Sequence, residues 1–101
     1  MSALVEFAMF PTDKGESVSA YVSRIMKVFK ENGIEHILTP MGTIFECETV
    51  EEATEVINLA YSVLEPDCNR VYTNIKIDIR KGKSGRIKQK IASIQKHLSE
   101  S

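Results

Sequence analysis

The order of hydrophobic patterns along this chain predicts an α+β subunit of the ferredoxin-like βαββαβ kind, a four-stranded antiparallel sheet with two helices on one face. Three observations carry the prediction. Residues 71–80 alternate strictly, with Val71, Thr73, Ile75, Ile77 and Ile79 set against Tyr72, Asn74, Lys76, Asp78 and Arg80, as strand side chains do. Two other stretches, beginning near Val18 and Ala53, repeat their apolar residues every three or four positions instead. Between those stretches lies Pro40-Met41-Gly42, a turn flanked by short apolar runs, which reads as a hairpin.

Each element can be justified in order. Leu4 to Phe10 is an apolar run broken only by Glu6 and followed by Pro11, a first strand. Thr12 to Glu16 is a polar loop, and Ser17 is placed to cap the helix that follows. That helix buries Val18, Tyr21, Val22, Ile25, Met26 and Phe29, and Gly33 after Asn32 supplies the left-handed residue that ends it. Ile34 to Thr39 is the second strand. Pro40 fixes its own φ and extends Thr39, Gly42 permits the reversal, and Thr43 to Glu48 is the third strand. Thr49-Val50-Glu51-Glu52 is a capping box opening a second helix with Ala53, Val56, Ile57, Ala60, Tyr61 and Leu64 on its apolar side, and Pro66 and Asp67 help end it. After the fourth strand, Lys81-Gly82-Lys83-Ser84-Gly85 is a flexible basic linker, and Ile87, Ile91, Ile94 and Leu98 mark a third amphipathic helix. Residues 1–80 thus form the body, and residues 81–101 a linker and tail helix of the same domain.

Strand alternation assigns the faces. Val5, Phe7, Met9, Phe45, Cys47, Ile75 and Ile77 are expected to face the helices. Glu6, Ala8, Phe10, Ile44, Glu46, Tyr72, Asn74 and Lys76 occupy the opposite face, which is too apolar for a simply solvated surface. Glu46 stands among apolar neighbours, so a covered Glu46 needs a partner: a ligand, or Lys76, which Glu6 or Glu46 can meet across strands.

Composition narrows the functional classes. The chain has 101 residues, enough for one domain with a thin core. Its net charge of −1 gives the whole molecule no bias toward nucleic acid or membrane. Cys47 and Cys68 form no CxxC pair, which points to reduced cytosolic thiols without zinc or a disulfide. No apolar run is long enough for a membrane span, and Glu6 interrupts the first one, against a signal peptide; a cytoplasmic protein is expected. No catalytic or phosphate-binding motif is present, and nothing in the sequence brings Cys68 to His36 as a nucleophile pair. Seven of the 13 basic residues lie between Arg80 and Lys96, with no acid among them. Such a helix either tracks phosphates or presents a solvated cationic face while its isoleucines dock, and the second reading is favoured.

Taken together, Pro40-Met41-Gly42-Thr43-Ile44-Phe45-Glu46 and Arg70-Val71-Tyr72-Thr73-Asn74-Ile75-Lys76-Ile77-Asp78-Ile79-Arg80, supported by Ser17-Val18-Ser19-Ala20-Tyr21-Val22, resemble the small thiamine-binding proteins of the UPF0045 type over roughly residues 3 to 97. The chain departs from the family pattern at Glu46-Cys47, where Glu-Gly is usual. The resemblance implies a non-catalytic ferredoxin-like subunit that assembles into dimers or tetramers through its sheet and binds thiamine or its hydroxymethyl-pyrimidine moiety, with no cofactor and no metal. Carried over by position, it points to Thr43 and Glu46 as ligand contacts; proximity and chemistry add Asn74 and Met41. A carboxylate accepts from the pyrimidine amine, a hydroxyl or amide orients the ring, and acidic and aromatic neighbours such as Glu6, Phe10 and Tyr72 favour the cationic thiazolium. The alternative is an oligomeric interaction module without a small ligand, and a third reading is weak nucleic-acid binding through the tail.

Overall fold

The computed structural model describes residues 1–100. Its elements are β1 (Ser2–Pro11), α1 (Ser19–Glu31), β2 (His36–Thr39), β3 (Gly42–Cys47), α2 (Val50–Ser62), β4 (Val71–Arg80) and α3 (Arg86–Glu100). The strands form one antiparallel sheet in the order β2-β3-β1-β4, so the expected βαββαβ fold is present with an added C-terminal helix.

Register explains the core. Val5 lies between Phe45 and Ile77, and Phe7 between Thr43 and Ile75, which turns the odd-numbered residues of all three strands toward α1 and α2. Ala3, Val5, Phe7, Met9, Ile25, Phe29, Phe45, Ala53, Ala60 and Leu64 are buried together. At the centre, Phe29 meets Phe7 and Phe45 with ring centroids 5.8 and 5.9 Å apart, in tilted and edge-to-face contacts that aromatic quadrupoles favour. Cys47 packs against this cluster half-buried.

Several expectations change in detail. Ile75 and Ile77 face the helical side by register but are 42% and 37% exposed, because β4 is an edge strand beyond the reach of α1 and α2. Ser17 does not cap α1: Val18 holds that position without a side-chain bond, its carbonyl accepting from the amides of Tyr21 and Val22. The helix does close as expected. Ile34 N–H bonds the Phe29 carbonyl and Gly33 N–H that of Lys30, with Gly33 at φ +66°, and this closing turn delays β2 until His36. Thr49 caps α2 by accepting from the Glu52 amide at 3.0 Å. That helix ends at Ser62, so Leu64 reaches the core from the following turn and Tyr61 is exposed. β4 spans the residues that its alternation marks.

The hairpin between β2 and β3 leaves only Pro40 and Met41 unpaired. Thr39 ties it: its hydroxyl donates to the Gly42 carbonyl at 2.8 Å and accepts from the Gly42 amide at 3.1 Å. Gly42 is not needed for a left-handed turn. A Cβ there would stand 3.0 Å from the Phe7 carbonyl oxygen, so the glycine serves close approach of β3 to β1.

Candidate functional site

The sheet face away from α1 and α2 carries cross-strand rows. Glu46, Leu4 and Asp78 form one row across β3, β1 and β4; Ile44, Glu6 and Lys76 form the next. Asn74 stands beside Ala8, and Phe10 beside Tyr72 with ring centroids 5.6 Å apart. In the second row Lys76 pairs with Glu6 at 3.7 Å, so the cross-strand ion pair involves Glu6 and leaves Glu46 for another partner.

That partner is α3. The chain leaves β4, turns through Gly82 and Gly85 at φ +78° and +64°, and lays the first turn of α3 over the Glu46–Leu4–Asp78 row. Gly85 opens the helix, its carbonyl accepting from the Gln89 amide, but it has no side chain to satisfy the first N–H groups. Glu46 does so from 40 residues away: Oε2 accepts from the Arg86 amide at 3.1 Å and Oε1 from the Ile87 amide at 3.4 Å. Partial burial raises the Glu46 carboxyl's pKa, but hydrogen bonds from the Arg86 amide, the Ser2 hydroxyl and the Ile87 amide outweigh it and hold the group below its ordinary value.

Arg86 locks the same turn. Only 2% of it is exposed. Its guanidinium donates to the Ser2 hydroxyl at 2.7 Å, the Ser2 carbonyl at 3.0 Å, the Asp78 carboxylate at 3.0 Å and the Asp78 carbonyl. Lys90 adds a second bond to the Asp78 carboxylate at 3.2 Å. The Lys90 bond is the main reason that the Asp78 carboxyl is held low, with Arg86 contributing and partial burial opposing. A buried guanidinium is tolerable only because its N–H groups are met in this way.

Besides an open depression of about 620 Å³ that Glu46 borders toward Glu52, Glu55 and Val56 of α2, two cavities flank the predicted residues. One, of about 500 Å³, opens between the sheet and the start of α3, with Glu46, Glu48, Glu35, His36, Ile37 and Ile87 on its walls. The other, of about 320 Å³, lies on the opposite face between α1 and the β2–β3 turn, lined by Thr43, Met41, Met26, Val22, Leu38 and Phe10 among others. Thr43 is buried there, its hydroxyl 3.9 Å from the Met26 sulfur, and Met41 is 85% exposed at the rim. Thr43 and Met41 therefore share a cavity, Glu46 lines the other, and Asn74 lies apart, exposed on the open face. Asn74 and Glu46 sit in rows four β1 residues apart, roughly 13 Å. His36 bonds the Ile34 carbonyl through Nδ1, whereas Cys68 bonds Asp67 after α2. Among the described residues no group of acids, histidines and cysteines is placed to hold a metal ion, and no helix is long and apolar enough to cross a membrane.

Sequence reasoning missed Arg86 and Ser2. Arg86 stands in a run of basic residues that reads as solvated, and a terminal serine carries no signal of burial. The available clue was Gly85 preceding the Ile87 stripe, a helix start without its own cap.

Comparison with known proteins agrees with this architecture. Residues 5–95 match a family model described as thiamine-binding protein. A UPF0045 protein of Methanocaldococcus jannaschii is 34% identical over 91 residues, 90% of each chain. A Bacillus subtilis relative is 36% identical over 86 residues, covering 81% of this chain and 83% of its own. The crystal structure of the M. jannaschii protein superposes with a TM-score of 0.81 at 33% identity, covering 93% of this chain and 96% of that one. A Thermotoga maritima protein whose name proposes thiamine biosynthesis or salvage shares the fold, with a TM-score of 0.78 at 19% identity over 93% of this chain and 99% of its own. On the extent of these matches, the chain belongs to the thiamine-binding protein family, the UPF0045 proteins.

Proposed function

We propose that this protein binds thiamine or a related aminopyrimidine without catalysis, as a cytoplasmic carrier, store or sensor, and that Glu46 receives the ligand. The observation that supports this reading is the position of Glu46, an ionised, half-buried carboxylate on the wall of a 500 Å³ cleft. A cleft of that size suits a small organic molecule. Glu35 and Glu48 give it acidic character, and Ile37 and Ile87 give it an apolar wall. Thiamine matches that chemistry: its aminopyrimidine presents N–H donors, and its thiazolium carries a positive charge. The family's description as thiamine-binding points the same way.

Thr43 and Met41 enter the proposal as a second location. Their smaller cavity is apolar, rich in thioethers and able to pack a flat ring. Asn74 would meet a ligand held by Glu46 only across a sheet contact with another copy. Such assembly, as a dimer or homotetramer, is part of the proposal and has its own support in the exposed isoleucines of β4.

Calorimetric titration of thiamine into wild-type, Glu46→Gln and Thr43→Val proteins tests the reading. Saturable wild-type binding is expected, with a loss of at least about tenfold in Glu46→Gln, the size of a hydrogen bond to a charged group. Loss in Thr43→Val alone would move the ligand to the α1 cavity. No binding at millimolar thiamine by a folded protein would favour the alternative, an interaction module whose uncovered sheet surfaces serve only contacts between proteins.

A further inference from the structure

In this structure Glu46 is already engaged. Both of its oxygens accept from α3, Oε2 from the Arg86 amide and Oε1 from the Ile87 amide. A ligand that donates an amine N–H to this carboxylate competes with those two amides for its oxygens. The competition extends to charge. Glu46 and Asp78 flank Leu4 in one row, and the start of α3 neutralises both, with the amides of its first turn on Glu46, and Arg86 and, one turn on, Lys90 on Asp78. With that turn lifted, the row presents two carboxylates on either side of an apolar residue, a surface suited to an organic cation.

The contact is also built to separate from the rest of the fold. It is concentrated in the first turn, where Arg86 is buried and Ile87 half-buried, whereas residues 91–100 are exposed, including Ile91 and Ile94. The linker before it holds two glycines, Gly82 and Gly85, in left-handed conformations, and glycine leaves such a conformation for others at little steric cost. Neither α1 nor α2 depends on it, since the core cluster contains no residue of α3.

We propose that α3 is a latch that competes with the ligand for Glu46, so that binding of an organic cation on the Glu46–Leu4–Asp78 row, in place of the α3 residues that wall the cleft, releases the first turn of α3, and docking of α3 lowers affinity for the ligand. The proposal rests on the reading of Glu46 as the ligand's acceptor. Reciprocity follows from linkage: whatever factor the latch takes from ligand affinity, the ligand takes from latch docking.

The test pairs amide exchange with affinity on the full chain, using thiamine as probe. Exchange of the Arg86 and Ile87 amides is measured by mass spectrometry with and without saturating thiamine. Thiamine affinity is measured for wild type, Arg86→Gln and Ser2→Ala, with circular dichroism as the check on folding. The latch predicts faster exchange at those amides when thiamine is bound, and affinity about five- to tenfold tighter in Arg86→Gln, at the low end of ordinary coupling between sites. Ser2→Ala, which removes an Arg86 acceptor and a hydroxyl that bonds Glu46, frees both sides of the contact, should move the same way by less, and decides the matter if Arg86→Gln does not fold. Slower exchange with thiamine, or weaker binding in the folded variants, would overturn the latch and make α3 a closing lid while leaving thiamine binding intact. Thiamine bound by Arg86→Gln but not by wild type would support the latch strongly. Absence of binding in wild type and both variants would overturn the ligand reading and the latch together.

Discussion

Three residues show how the same sequence signal leads to different outcomes. Glu46 is a charge among apolar strand neighbours, and the expectation that it needs a partner is met by the α3 amides rather than by Lys76. Gly42 is legible as a special position, but its reason is the 3.0 Å approach to the Phe7 carbonyl and not a left-handed turn. Gly42→Ala is expected to destabilise the protein by about 1–3 kcal/mol, because a backbone atom cannot yield as a flexible side chain does; urea unfolding measures it. Arg86 was not legible as a buried residue, since local sequence does not separate its guanidinium from the five lysines of the tail. At the centre of the core, Phe29→Ala should cost about 3–5 kcal/mol, as it removes a fully buried ring that touches Phe7, Phe45 and His36.

At the scale of elements, periodicity placed every strand and helix, because apolar residues recur with the period of the element that carries them. It could not say which faces meet. The isoleucines of β4 read as core on alternation alone, yet strand order puts them on an edge that two helices cannot reach. In the same way, the stripe of α3 was visible while its docking on the open face was not, because the contact joins residue 46 to residues 86 and 87 through space. That contact makes a pH prediction. The Glu46 carboxyl lies below its ordinary value of 4.5 in the folded protein, so the stability it gives to α3 docking is fully present above that value and is lost as pH falls through the folded pKa. Asp78 is likewise lowered, from 3.8, and adds to the same loss. Protection of the Arg86 and Ile87 amides should therefore be steady above about pH 5 and decline below it, after correction for intrinsic exchange. At α2, Thr49→Ala should cost about 1 kcal/mol, the usual value of an N-cap hydroxyl, measured by the shift in urea midpoint.

The whole molecule exposes more surface than a compact chain of its mass. Its accessible area of 6949 Å² compares with about 5,800 Å² expected for a folded monomer of 11.4 kDa. Its radius of gyration of 15.2 Å compares with about 13 Å. The surplus comes from the exposed residues 91–100 of α3 and from the uncovered edge strand β4. Exposed edges of this kind are ordinarily paired or covered. Sedimentation is accordingly expected to give a dimer or tetramer, and Ile44→Asp on the open sheet face is expected to shift it toward monomer; a wild-type monomer at micromolar concentration would remove the assembly from the proposal. Fold class was legible at this scale because a βαββαβ order leaves few topologies to choose among. Alternation also put Thr43 and Glu46 on opposite faces of one strand, but not in separate cavities, because the walls of those cavities come from α1 and α3, distant in sequence.

Binding at Glu46 is tested most sharply by a map of backbone amide chemical shifts in isotope-labelled protein during thiamine titration. Binding at Glu46 predicts saturable changes concentrated at Glu46, Cys47, Arg86 and Ile87. Changes confined to Met41, Thr43 and the facing residues of α1, or none at millimolar thiamine, would contradict it.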